Sequence, residues 1–283
     1  MGVILALTYI QLGTWNIKHL GSQPTEDQRS QSVYALTDHI EMAGIDVLAI
    51  QEVYDTSFGH FRNEHLEQTC SLLKEHTQFD WKYTILPNRK PDDNSQLCGY
   101  LWNNSLIELV AAEPIPVDFK KEGLYLWDRR PHAVKFETRN KILGEKRSFV
   151  TVGLHMKANT GGSKDRKKRE LEAEELVKNI PWIVEKMKDE SLILLGDTNI
   201  LGSWEKAAEI FTEAGFLDLN AEDTPTYAGS TAPFDRIYLR EGRKEFQYSR
   251  QYVLQSANKH AHLGYLSDHY LVKTSIKIYV DED

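Results

Sequence analysis

Only two cysteines, Cys70 and Cys98, occur in the 283 residues of this chain. Two thiols are too few for a disulfide framework or a thiolate metal site, so both are expected as ordinary, partly buried side chains. Long apolar runs are also missing, which removes a membrane-spanning helix from consideration. No Pro-, Gly- or Ser-rich linker divides the chain, and a single domain over residues 1–283 is expected. Basic charge is not in excess: 34 Lys and Arg stand against 42 Asp and Glu, a formal net charge of −8. That balance opposes long-range attraction to polyanions, although local basic clusters keep such binding open. The apolar opening Met1–Leu7 lacks a basic flank and reads as part of a first strand rather than a signal peptide. Cytoplasmic placement is favoured; a secreted chain without its leader has the same appearance.

What the chain does have is a series of acid, amide and imidazole residues where strand-like runs end. They are Asn16 in Gly13-Thr14-Trp15-Asn16, Glu52 in Ile50-Gln51-Glu52-Val53, His155 after Val152-Gly153-Leu154, Asp197 and Asn199 in Gly196-Asp197-Thr198-Asn199, Asp235 in Phe234-Asp235-Arg236-Ile237, and Asp268-His269 after Ser267. Each alone has a bland reading: a turn aspartate, or a solvated histidine. Their repetition at strand ends is what a fold needs to gather distant segments on one cleft, and carboxylates gathered there need a cation.

Strand-like runs end near Asn16, Glu52 and His155. Others cover Trp81–Leu86, Tyr100–Trp102, Ala133–Phe136, Leu192–Leu195, Phe234–Leu239 and Leu271–Ile278. Helical spacing covers Asp27–Ala43, Arg62–Lys74, Arg166–Lys188 and Trp204–Ala214, with Gly44 and Gly215 as stops. Directly adjacent strand pairs are expected near Leu101/Leu109 and Phe136/Phe149, giving a mixed-sheet α/β layered domain. The run Lys164-Asp165-Arg166-Lys167-Lys168-Arg169 reads as a solvated helix face. Arg139, Lys141, Lys146 and Arg147 read as a hairpin turn. The indoles of Trp15, Trp102 and Trp127 are expected in the core or cleft wall. The polar loop Asn88–Ser95 and the stretch Ala158–Lys164 are expected to flank the cleft.

With Arg129-Arg130-Pro131-His132 and Ser267-Asp268-His269-Tyr270 added, these motifs resemble the endonuclease/exonuclease/phosphatase superfamily, and pancreatic-type deoxyribonuclease within it, from about Leu7 to Ile278. The resemblance implies a four-layer α/β sandwich, two mixed β-sheets packed face to face with helices outside. It implies a Mg²⁺-dependent phosphodiester hydrolase, foremost a DNA nuclease, with Mn²⁺ or Ca²⁺ as alternative ions. Glu52 is the first-choice ligand because a hard cation takes carboxylate oxygen, and Asn16 and Asp268 follow. Asp197 and Asn199 would orient water and a phosphoryl oxygen, His155 and His269 would transfer protons, and Asp235 would orient His269. Arg129 matches the family's phosphate-binding arginine, and Arg130, Lys18 and Ser230 or Thr231 are further phosphate contacts.

Departures from the deoxyribonuclease bear on substrate. Tyr54 stands where an arginine enters the DNA minor groove. Gln96 stands at a DNA-contacting tyrosine, and Cys98 at the glutamate that orients the first catalytic histidine, which leaves His155 without that partner. The Asp-Thr-Asn form also resembles the tyrosyl-DNA phosphodiesterases. DNA is therefore the expected partner of a monomer. A small phosphoester such as a lipid head group or inositol phosphate is the alternative, and an inactive binding module is disfavoured because every catalytic position is filled.

Overall fold

Apolar runs bounded by turn residues become strands, and the 3.6-residue patterns between them become helices. The computed structural model describes residues 9–21, 31–57, 59–89, 96–140 and 146–277. The readings on Met1–Leu7, Lys141, Ile278, most of the Asn88–Ser95 loop and the first residues of the 27–43 helix lie outside them. In chain order the elements are β1 (Tyr9–Leu20), α1 (Val33–Ala43), β2 (Val47–Val53), α2 (Glu64–Thr77), β3 (Trp81–Leu86), β4 (Leu97–Asn103) and β5 (Ile107–Pro114). There follow a short hairpin of β6 (Lys120–Lys121) and β7 (Leu124–Tyr125), then β8 (His132–Thr138), β9 (Ser148–His155), α3 (Ser163–Lys178), α4 (Ile180–Met187) and β10 (Leu192–Asp197). The last are α5 (Lys206–Glu213), β11 (Phe216–Asp218), β12 (Asp235–Arg240), β13 (Tyr252–Leu254), α6 (Lys259–Tyr265) and β14 (Leu271–Lys277).

The strands form two six-stranded sheets, ordered β13-β14-β1-β2-β4-β3 and β11-β12-β10-β9-β8-β5. In each sheet one pair is parallel, β1 with β2 and β9 with β10. Period-2 alternation divides the core. Ile193 and Leu195 of β10, with Val47 and Ala49 of β2, fill the space between the sheets beside Tyr100, Phe136 and Phe149. Leu192 and Leu194 instead face the helices of the second half, and Leu48 and Ile50 face those of the first. The result is the expected four-layer sandwich.

Three expectations are corrected. The strands at Leu101 and Leu109 are not paired: β4 lies between β2 and β3 in the first sheet, and β5 pairs with β8 in the second. The turn between them carries the chain from one sheet to the other. The helix over 166–188 is two helices, because Asn179 closes α3 and Pro181, which has no N–H to donate, sits in the first turn of α4. The basic run is not wholly solvated: Arg169 is fully buried, forks onto Glu205 (Nη2 to Oε1 2.8 Å) and donates to the Lys157 carbonyl. The Phe136/Phe149 pairing does form, in direct register.

Candidate active site

Four of the polar residues arrive at one end of the sandwich because parallel strands release their side chains together at their carboxyl ends. Asn16 and Glu52 come from β1 and β2, His155 and Asp197 from β9 and β10. Asp235 and His269 reach the same end because β12 and β14 run antiparallel to their neighbours and begin there. Register places Asp197 directly between His155 and Asp235. Gly196 permits this approach: its φ is +152°, and a Cβ there would sit 2.0 Å from the Leu154 carbonyl oxygen.

The contacts join the two sheets. Asn16 Nδ2 donates to Glu52 Oε1 (3.1 Å) and to Asp197 Oδ2 (2.9 Å). His155 Nε2 lies 3.8 Å from Glu52 Oε1 and 3.7 Å from Asp197 Oδ2, and His269 Nε2 lies 3.9 Å from the same Asp197 oxygen. His269 Nδ1 bonds Asp235 Oδ2 at 2.8 Å. The backbone N–H of Asn199 donates to Asp197 Oδ1 (3.0 Å), and its side chain donates to the Met156 carbonyl (3.3 Å).

Burial and charge set different protonation states for the two histidines. Burial and the nearby Arg129 hold His155 well below the ordinary histidine range. Burial also pulls His269 down, but the carboxylates of Asp235 and Asp197 outweigh it and raise its pKa to about 10. Asp197 is pushed up to about 7, chiefly by burial. His155 Nδ1 and Asp235 Oδ1 are buried without a partner among the described residues, and the buried Cys98 thiol is pushed up to about 12 by burial.

Asp197, Asp235 and His269 offer ligand atoms within 4.8 Å of one another. Glu52 Oε1 lies beside them, sharing the Asn16 amide with Asp197 Oδ2. This donor set fits a divalent ion. Asp268, expected as a ligand, pairs with Lys18 (Oδ2 to Nζ 3.2 Å).

Six of the twelve non-glycine residues with positive φ among the described residues sit at or beside this cluster: Lys18, His19, Glu52, Gln96, Trp127 and Asn199. Pairing shifts in β1 beyond Asn16 and in β2 beyond Ile50 accompany them. Bulges and left-handed residues re-aim side chains at the cost of local backbone strain. That is how Glu52 comes to face Asn16.

Three contributors were not read from the sequence. His19 bridges Glu52 Oε2 (3.4 Å) and the Tyr54 hydroxyl (3.2 Å). Glu172 of α3, buried, accepts the backbone N–H of Trp127 (2.9 Å) and of Lys157 (3.0 Å), so one carboxylate ties down the segments two residues from Arg129 and from His155. His262 of α6 and Trp15 both donate to the His269 carbonyl at 2.9 Å. Only α6 left a local sign, Asn258 as its cap, accepting from Ala261 N.

The expected substrate contacts separate. Arg129 donates to Gln96 and its charge reaches His155. Arg130 stacks on Phe119. Ser230 is exposed and accepts from the Ala232 N–H.

No protein-family model matches this chain, and no curated protein matches it in sequence. Solved structures do match in fold. An endonuclease/exonuclease/phosphatase family protein from Bacteroides thetaiotaomicron is similar at 15% identity and TM-score 0.64, covering 96% of this chain and 99% of that one. A mannosyl-6-phosphatase from the same organism matches at 13% identity and TM-score 0.60, over 94% and 99%. TDP2 of D. rerio complexed with a single-strand DNA product matches at 16% identity and TM-score 0.55, over 95% and 99%.

Proposed function

We propose that this chain, which has the fold of the endonuclease/exonuclease/phosphatase proteins, is a divalent-metal-dependent phosphoester hydrolase whose first substrate class is the phosphodiester of a nucleic-acid strand. The observation that carries the reading is Asp197, set between two histidines of opposite protonation tendency and joined through Asn16 to Glu52. Glu52 would hold Mg²⁺, which when bound supplies charge neutralisation at the phosphoryl oxygens.

Asp197, poised near neutrality, takes a proton from the attacking water as the water oxygen bonds to phosphorus. Its loss of charge removes one of the carboxylates that hold the proton on His269. The imidazolium then gives that proton to the oxygen whose bond to phosphorus breaks. Asp235 keeps the ring in place through its bond to Nδ1. His155, held neutral, donates from one ring nitrogen to a phosphoryl oxygen, and Arg129 lies beside it as a cation for the same charge.

A smaller phosphoester is the second reading, favoured by the tyrosine at position 54, whose hydroxyl bonds His19 where an arginine would enter a groove. A similar fold acts as a mannosyl-6-phosphatase. The test is turnover of plasmid DNA, single-stranded DNA, RNA, mannose 6-phosphate and inositol phosphates with Mg²⁺ and with chelator. Chelator-sensitive cleavage of a polynucleotide supports the first reading. Turnover of only the small esters replaces it with the second, and turnover unaffected by chelator rejects the metal.

A further inference from the structure

In this acidic chain Arg62, Arg139, Arg169, Arg236 and Arg243 each face a carboxylate. Six arginines, Arg89, Arg129, Arg130, Arg166, Arg240 and Arg250, make no ion pair among the described residues, and three of them are neighbours in space or sequence: Arg89, Arg129 and Arg130. Arg89 and Arg130 both lie over the ring of Phe119, their guanidinium carbons 5.0 and 5.7 Å from its centroid. Phe119 is itself packed against the core beneath the helices of the second half, so the platform is fixed. The Arg130 backbone N–H donates to Asn88, one residue before Arg89 (3.3 Å), which holds the two segments together.

Stacking on an aromatic face orients a guanidinium and leaves its edge donors free for an anion. Arg130 is partly buried, its Nε reaches no acceptor, and burial draws its pKa down. A cation that loses water without gaining a counter-charge is costly, and an anion bound there would relieve the cost. The site lies next to the chemistry because Arg130 follows Arg129 directly, with consecutive Cα atoms about 3.8 Å apart, and Arg129 acts on His155.

We propose that Arg89 and Arg130, stacked on Phe119, form a second anion subsite that takes a phosphoryl group of the substrate other than the one hydrolysed. The inference rests on the phosphoester hydrolase reading and narrows it to substrates with two phosphoryl groups close together. The second group is either the neighbouring phosphodiester of a strand or a terminal phosphate on a small nucleotide.

The experiment compares thymidine 5′-(4-nitrophenyl phosphate) with the same compound carrying a 3′-phosphate, and with a dinucleotide in which that 3′-phosphate is a diester. Wild type should prefer a doubly phosphorylated substrate by about tenfold in KM, the scale of one charge-assisted hydrogen bond. Arg89→Ala/Arg130→Ala should lose that preference. Preference kept by the diester assigns the subsite to a strand; preference confined to the free 3′-phosphate assigns it to a small nucleotide. Arg89→Ala alone, at an exposed position, should lose part of the preference and covers the case in which the double variant does not fold. Equal KM values in wild type, or an undiminished preference in the variants, overturns the subsite. If wild type hydrolyses none of the three, the hydrolase reading fails separately. Calorimetric binding of thymidine 3′,5′-bisphosphate against thymidine 5′-monophosphate then decides the subsite, with equal affinity as the overturning result.

Discussion

Asp235→Asn exchanges one carboxylate oxygen for an amide nitrogen and removes the buried charge opposite His269. The wild-type contact is short, 2.8 Å from Oδ2 to Nδ1, and the Asp235 side chain is inaccessible to solvent. Its place is fixed by its own N–H, which donates to Thr226 Oγ1 (2.9 Å), and by its carbonyl, which accepts from Gln251. With Asp235 neutral, the burial that opposes the imidazolium is no longer overcome, and His269 falls from about 10 toward or below its ordinary value. Breaking a buried ion pair costs about 3–5 kcal/mol, and the retained amide oxygen places this case at the lower end. The pKa is raised in the folded state, so the stabilisation is complete below about pH 6.5 and is lost as pH rises toward 10. Wild-type stability from this pair should therefore decline between pH 7 and 10, and that slope should flatten in the variant. Turnover should drop by about 10²–10⁴-fold, the range for removing the orienting carboxylate of a catalytic histidine. Denaturant melts at pH 6, 8 and 10 and kcat on one chromogenic diester measure both effects. A variant that turns over within about threefold of wild type would refute the role of the pair in proton transfer.

Glu52→Gln should abolish metal-dependent turnover with an intact fold, and unchanged Mg²⁺ affinity by calorimetry would remove Glu52 from the ligand set. Glu172→Gln should destabilise by about 1–3 kcal/mol at pH 4, since an amide NH2 is set against one of two buried N–H donors. Burial raises Glu172 to about 7, so wild-type stability from this group is present below about pH 4.5 and falls as pH rises to 7. The variant should lack that decline, and a parallel decline in both proteins would show that Glu172 does not titrate as stated. Activity of Glu172→Gln should fall through kcat as Arg129 and His155 shift, whereas an unchanged kcat makes Glu172 a stability residue only. Tyr54→Arg should increase plasmid nicking at moderate salt if a duplex groove is the substrate; a decrease across the salt series favours a small phosphoester.

Sequence alone determined which segments become strands and where the chemistry lies along the chain. The run 192–195 is legible because a strand buried on both faces must be apolar throughout, and Asp197, the polar residue that ends it, stands out against it. Sheet membership was not legible. Leu101 and Leu109 look like a hairpin because the turn between them is short, and only the packing of each on a different sheet separates them. The break at Asn179 was masked by apolar spacing that continues into α4 despite Pro181. Within the site, Asn16, Glu52, His155, Asp197, Asp235 and His269 could be named from their motifs. Their distances could not, because bulges and left-handed residues at Lys18, His19, Glu52 and Asn199 set the final aim of each side chain. Glu172, His19 and the Arg89–Phe119–Arg130 stack left no local pattern at all. Each joins residues far apart in the chain through contacts that exist only once the two sheets and their outer helices have closed on one another, so tertiary structure alone decided them.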